Sequence, residues 1–253
     1  MSDVAFGIEC ADISRTFGSR QALADIHLEI RPGELTVLLG SNGAGKTTLM
    51  KILATLLLPS GGQASILGRD VVLEAAACRR LMGFVPAEER SFHGRLTVMQ
   101  NLEFFAALRG IPPAVCRDRA ADLLAVFALE DHARSRFSEL SSGMKQALGL
   151  VRGLLHAPHV LLLDEPTRSL SPDMAHRVQT MLQRLAREEG RTILLATHNL
   201  GEAEALADQV AILHGGRILA QGSPADLFLH HGLQGHNRVE ALFRHITHSE
   251  VAL

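Results

Sequence analysis

The chain has 253 residues, 47% of them hydrophobic and 21% charged, with a formal net charge of −2. That is enough apolar material for a sizeable core, and it excludes the strong basic field that gathers nucleic acid in bulk. Trp and Tyr are absent, which removes the usual base-stacking side chains, although ten Phe remain.

The first residues carry no basic segment followed by an apolar one, so no secretory leader is expected. Residues 8–30 alternate apolar with polar, as in Ala24-Asp25-Ile26-His27-Leu28-Glu29-Ile30. Alternation predicts half-exposed, antiparallel strands. Arg31-Pro32-Gly33-Glu34 predicts a turn. Residues 35–39 are a short apolar run of buried-strand type.

Next comes Gly40-Ser41-Asn42-Gly43-Ala44-Gly45-Lys46-Thr47-Thr48. It fits G-x-x-x-x-G-K-[ST], with Gly40, Gly45, Lys46 and Thr47 in the fixed places. Glycines let backbone N–H groups approach phosphate oxygens. Lys46 adds a mobile positive charge, and the Thr47 hydroxyl can ligate Mg²⁺. Residues 47–58 carry Leu49, Ile52, Leu53, Leu56 and Leu57 at helical spacing, so a helix is expected to aim its N-terminus at the anion.

Pro59-Ser60-Gly61-Gly62 predicts a turn, residues 64–68 a strand, and residues 79–85 a helix end running into a buried strand at 82–85. From 97 to about 157 the pattern is helical. Thr97 with Gln100 forms a capping box, Gly110-Ile111-Pro112-Pro113 ends that helix, and further helices are expected over 114–129 and 142–156. Strands at 192–197 and 209–214 then alternate with helices at 175–189 and 200–207. A tight turn over 214–217 follows. Such alternation argues a parallel sheet covered on both faces.

Residues 160–164 are an apolar strand that delivers Asp164 and Glu165 to the sheet's C-terminal edge. Ligands sit there in such folds. Asp164 can hold Mg²⁺, and Glu165 can polarise an attacking water. Ser141, Ser142 and Gly143 start a helix and form a second anion-binding element. Taken singly, solvated acids at a strand end explain the first equally well, and an ordinary N-cap explains the second better.

Together these motifs resemble the nucleotide-binding subunit of an ATP-binding-cassette (ABC) transporter. Residues 140–144 are similar to that family's L-S-G-G-Q signature, in an S-S-G-M form like that of exporter-type members. His198, after the strand 193–196, resembles its switch histidine, and Phe17 stands where the family stacks an aromatic ring on adenine. The resemblance runs to about residue 227. It implies an α/β P-loop NTPase core with a mixed sheet, an antiparallel β subdomain and an inserted α-helical subdomain. The expected division is a single ATPase domain over 1–253, with core halves 1–86 and 159–227, a helical insertion 87–158 and a tail 228–253.

The resemblance further implies that residues 40–48 and Phe17 bind ATP, Thr47 and Asp164 hold Mg²⁺, and Glu165 with His198 act in hydrolysis. Two cassettes, identical or not, would pack head to tail, so that each ATP meets Ser141, Ser142 and Gly143 of the other subunit. A separate transmembrane permease is the implied partner, no nucleic acid is, and the location is peripheral, at the cytoplasmic face of the membrane. Two positions depart from the family pattern: Ala87 stands where the family has Gln, and Ser171 where it has Asp. The first puts the usual permease coupling contact in doubt, with Glu88 or Glu89 as substitutes. The second bears on communication across the dimer. A cassette ATPase unconnected with transport, or a weakly catalytic regulatory subunit, are the readings from other classes.

Cys10, Cys78 and Cys116 are far apart and read as reduced thiols of a cytosolic protein. His230, His231, His236, His245 and His248 match no standard metal spacing, and the tail reads as a polar helix.

Overall fold

The structure, a computed structural model, describes residues 5–233 and 238–251. The alternating N-terminal stretch forms two antiparallel strands, β1 (Ile8–Phe17) and β2 (Arg20–Ile30). One apolar face of this pair, with Ile8, Ile13, Leu28 and Ile30, is fully buried. β3 (Leu35–Leu39) leads into α1 (Lys46–Leu53), and β4 (Gly61–Ile66) and β5 (Arg69–Asp70) join the first pair in a sheet of order β2-β1-β4-β5. α2 (Ala75–Leu81) runs into β6 (Met82–Val85).

Three consecutive helices follow: α3 (Val98–Leu108), α4 (Pro113–Val126) and α5 (Ser142–Leu154). The chain then returns through β7 (Val160–Asp164), α6 (Pro172–Arg187), β8 (Thr192–Thr197), α7 (Leu200–Leu206), β9 (Gln209–His214) and β10 (Arg217–Gly222). α8 (Pro224–His230) and α9 (Arg238–Val251) complete it. The second sheet has the order β10-β9-β3-β8-β7-β6, parallel except for the edge strand β10. β3, β7 and β8 are buried at every residue, because α1 and the first sheet cover one face and α5, α6 and α7 the other.

The helical stretch shares its core with the sheet. Leu102, Leu124, Phe127 and Leu148 belong to the same buried cluster as Val37, Leu163 and Leu195. α5 comes especially close to β6. A Cβ added at Gly83 would lie 2.2 Å from the Gly153 carbonyl oxygen, and one at Gly153 would lie 2.7 Å from Val85 Cγ2.

Several boundaries differ from the sequence reading. α1 ends at Leu53, not at 58. Leu56 N–H and Leu57 N–H both donate to the Lys51 carbonyl, and Thr55 turns left-handed with φ 61. That leaves Leu56 62% exposed rather than on a buried stripe. Gly61 and Gly62 are the start of β4, not a turn, because Gly61 pairs with Ser14 of β1. α4 stops at Val126 and α5 at Leu154, before left-handed residues at Ala128 and Ala157. α6 starts three residues early at Pro172, capped by the Ser171 hydroxyl, which accepts from Met174 N–H. The tail is amphipathic rather than polar: Val239, Leu242 and Ile246 of α9 are buried, and Leu242 and Ile246 pack with Ile212 and Phe228.

Gly83→Ala should destabilise the chain by roughly 2 kcal/mol, because the clash is with backbone that cannot rotate away. Gly153→Ala should lower stability less, since a valine methyl can move. Urea titration followed by circular dichroism would check the order, and equal midpoints for the two variants would refute it.

Candidate active site

The loop after β3 wraps around the start of α1. Gly45 is the N-cap of α1 at φ 114, and a Cβ there would lie 2.8 Å from the Ala22 carbonyl oxygen. Only glycine meets both conditions, so the first N–H groups of α1 face an open cleft. That cleft, about 410 Å³, is lined by Phe17, Arg20, Ser41, Asn42, Gly43, Gly45, Lys46, Thr47, Thr48, Ala87, Asp164, Glu165, Arg168 and His198. Gly40 and Ala44 are buried behind it.

Lys46 is 6% exposed. Its ammonium donates to the carbonyls of Gly40 at 2.5 Å and Ser41 at 3.3 Å, and lies 3.7 Å from Glu165 Oε1. Burial lowers its pKa, and the charges of Glu165 and Asp164 pull it back up. Adjacent carboxylates thus offset part of the cost of burying this cation.

β7 brings two carboxylates with different tasks. Asp164 Oδ2 accepts from the Thr47 hydroxyl at 2.8 Å, while Asp164 Oδ1 is buried without a hydrogen-bond partner among the described residues. Burial raises the Asp164 pKa above the ordinary carboxylate range, against the lowering effect of the Thr47 hydroxyl. A hydroxyl and a carboxylate with one unsatisfied oxygen are hard oxygen donors, a set that suits Mg²⁺.

Glu165 stands at the turn after β7 with φ 51, a left-handed conformation that costs an L-residue on the order of 1 kcal/mol. Its N–H donates to the Ala196 carbonyl at 2.8 Å, which fixes the turn to β8. Glu165 Oε1 lies 2.8 Å from His198 Nδ1, and the Thr197 hydroxyl lies 3.5 Å from Oε2. His198 is half-exposed at the cleft wall. Phe17 is 45% exposed there, with the Arg15 guanidinium 4.5 Å from its ring centre.

The structure does not bring Ser141, Ser142 and Gly143 to this cleft. They line a separate cavity of about 360 Å³ with Ser169, Leu170 and Ser171, and a Cβ on Gly143 would lie 2.9 Å from the Ser169 carbonyl oxygen. The Ser141 hydroxyl caps α5 by accepting from Met144 N–H. Ala87 lines the cleft without a ligand atom. Glu89 is committed elsewhere, in a nearly buried ion pair with Arg152 at 2.8 Å, and Glu88 pairs with Arg90. Neither carboxylate lines the cleft.

Residue-type reasoning missed Glu202. It is 2% exposed, accepts from the Thr167 hydroxyl at 2.8 Å, and its pKa is raised by burial. From sequence it reads only as an acid in the first turn of a helix, a common complement to the helix dipole. It ties the turn after β7 to the helix that follows His198. Arg20 and Arg168 were also missed, because nothing local in the sequence points them at the cleft.

The family model described as ABC transporter matches residues 23–168. This chain belongs to that family. Nod factor export ATP-binding protein I of Rhizobium etli is 36% identical over 220 residues, covering 87% of this chain and 69% of that one. A solved ATP-binding subunit of an ABC transporter superposes with a TM-score of 0.87 at 31% identity, over 95% of this chain and 99% of the other. A bacterial ABC transporter cassette solved as a dimer gives 0.79 at 25% identity, over 90% and 100%. This protein is an ATP-binding subunit of the ABC transporter type, and its activity is ATP hydrolysis.

Asp164→Asn should split stability from function. It keeps an acceptor for Thr47 and removes a desolvated charge, so the ligand-free chain should gain about 1 kcal/mol. The folded-state pKa of Asp164 is raised, so its destabilising contribution is absent below the ordinary carboxylate pKa and grows as pH rises through the folded value. The gain should therefore shrink as the pH is lowered, while ATP hydrolysis disappears. Thermal unfolding at several pH values measures the first and a phosphate-release assay the second, and a loss of stability at neutral pH would contradict this account.

Proposed function

We propose that this chain is the ATP-hydrolysing motor of an exporter, working as a cassette dimer at the cytoplasmic face of a membrane, on a separate permease. The observation that carries the reading is the convergence of Lys46, Thr47, Asp164, Glu165 and His198 on one cleft at the C-terminal edge of a parallel sheet.

The geometry supports a role for each of these residues. The loop amides from Ser41 to Thr48 and the ammonium of Lys46 hold the phosphates of ATP. Phe17 offers a half-exposed ring for the base. Thr47 and Asp164 are the oxygen donors for Mg²⁺, which when bound neutralises charge on the phosphate oxygens. Glu165 orients the attacking water and accepts its hydrogen bond, held in place by its strained turn and by His198. Catalysis is then positioning plus charge stabilisation, with little covalent work for the protein.

Ser141, Ser142 and Gly143 lie outside the cleft of their own chain, so their anion-binding element is free to face the ATP of a second cassette. Packing of Gly143 against Ser169 links this element to the turn that follows Glu165. Dimer closure and hydrolysis are thereby mechanically connected.

Among the described residues no helix is long and apolar enough to cross a membrane. We assign the transport path to another subunit. The groove between β6, α3 and α5, next to Ala87, is the surface we assign to it. The export direction rests on the S-S-G-M signature and on the name of the Rhizobium etli relative.

Glu165→Gln should bind ATP as the parent does, accumulate a dimer on gel filtration with ATP, and hydrolyse it roughly 10²-fold or more slowly. Parental turnover in this variant would remove Glu165 from the mechanism. Lys46→Ala should instead weaken binding itself, measured by calorimetric titration of MgATP.

A further inference from the structure

We propose that Glu202 is a positioning residue for hydrolysis: by holding the Thr167 hydroxyl from behind the turn, it keeps the segment after β7 in the shape that presents the Glu165 carboxylate to the cleft. This rests on the assignment of water activation to Glu165, and adds the device that keeps Glu165 aimed.

Glu165 needs such a device. Its backbone is left-handed, and a strained residue of this kind persists only where its surroundings over-determine it. On the side of β8, the bond from its N–H to the Ala196 carbonyl holds it at 2.8 Å. On the other side the hold is weaker. Pro166 brings no N–H, and Arg168 N–H reaches the Glu165 carbonyl only at 3.3 Å. The bond from the Thr167 hydroxyl to Glu202 Oε1, at 2.8 Å, fastens this part of the turn to α7.

The local bonding directs Glu202 to Thr167. Glu202 is the third residue of α7, where a glutamate commonly bonds back to the N–H of the N-cap residue. Here the N-cap N–H, that of Asn199, already donates to the Thr197 hydroxyl at 3.0 Å. Asn199 Oδ1 accepts from Gly201 N–H at 3.0 Å and from Glu202 N–H at 3.2 Å. The Glu202 carboxylate is therefore released to cross over to Thr167. A ring results. It runs from Glu165 through Thr167 to Glu202, then through Asn199 to Thr197, whose hydroxyl lies 3.5 Å from Glu165 Oε2.

This is an unfavourable place for a carboxylate. Glu202 is almost fully buried, and its Oε2 has no hydrogen-bond partner among the described residues. An acid in the first turn complements the helix dipole just as well from the surface, without that penalty. The dipole therefore leaves the buried carboxylate unexplained, and the bond to Thr167 explains it. Its support is itself fixed. Ala203 and Leu206 of α7 are buried, Glu204 Oε2 accepts from Val239 N–H of α9 at 2.7 Å, and Gln183 Nε2 of α6 donates to the Ala205 carbonyl at 3.0 Å.

The test measures steady-state ATP hydrolysis and ATP binding by the full chain, with Glu165→Gln alongside. Thr167→Val, which exchanges the hydroxyl for a methyl of similar size, should lower kcat about tenfold while KM and binding affinity stay within about twofold of the parent. Glu202→Ala should act in the same way, and the double variant should be no slower than the slower single one, because both changes break one bond. Thr167→Ser, which keeps the hydroxyl, should restore turnover to within about twofold of the parent. Should Glu202→Ala fail to fold, the Val and Ser variants at the half-buried Thr167 decide the question. With Glu165→Gln slow, three results would each overturn the proposal and leave the assignment of Glu165 standing: parental kcat in Thr167→Val, a fall in kcat matched by an equal loss of affinity, or no recovery in Thr167→Ser. Parental turnover in Glu165→Gln would overturn the assignment of Glu165 itself, whatever the Thr167 variants do.

Discussion

The structure depends on one arrangement: a buried cation and two carboxylates brought together at the ends of β3 and β7. Lys46, Asp164 and Glu165 are all nearly buried. Each alone would be costly in that place. Together they offset part of that cost, with Lys46 Nζ 3.7 Å from Glu165 Oε1 and Thr47 bound to Asp164. The arrangement is set by the sheet. β3 and β7 flank β8 in a continuous parallel ladder, and that ladder fixes the distance between the two strand ends.

The site is nevertheless left unsatisfied. Asp164 keeps an orphan carboxylate oxygen, and Glu165 sits in left-handed backbone. A bound cation would satisfy the orphan oxygen, whereas the backbone strain at Glu165 is held by the turn itself. Stability is spent where chemistry is done, and the fully buried apolar strands around the site make the expense tolerable. Glu202 belongs to the same logic, since it is buried behind the turn and joins Thr167 to the helix that follows His198.

The altered loop at Ala87 gains a physical interpretation from its neighbours. Glu89 is drawn away from the cleft and paired with Arg152, whose guanidinium also stacks near Phe92 and Phe105. Arg152 lies at the far end of the helix that begins beside Ser141. The loop is thus pinned to the helix capped by Ser141, and the groove beneath it sits on that same connection. A partner pressing into the groove would act on the loop and the helix together.

Much of the architecture was legible in the sequence, since it follows from local periodicity. Short continuous apolar runs at 35–39, 160–163 and 192–197, set between turns, fit strands covered on both faces, and alternation at 8–30 fits half-exposed ones. The phosphate loop was readable because glycine and lysine spacing there is set by the geometry of phosphate binding, not by tertiary context. Helix ends were less legible: the end of α1 is set by a left-handed Thr55 that no residue type announces. The amphipathic tail was missed because its inner face is defined only by what it meets, Ile212 and Phe228. Tertiary structure alone decided that Glu165 reaches both His198 and Lys46, that Glu202 lies behind them, and that Glu89 turns to Arg152. These partners come from segments far apart in the chain, and the distance between their side chains is set by sheet order and helix packing, which no local pattern encodes.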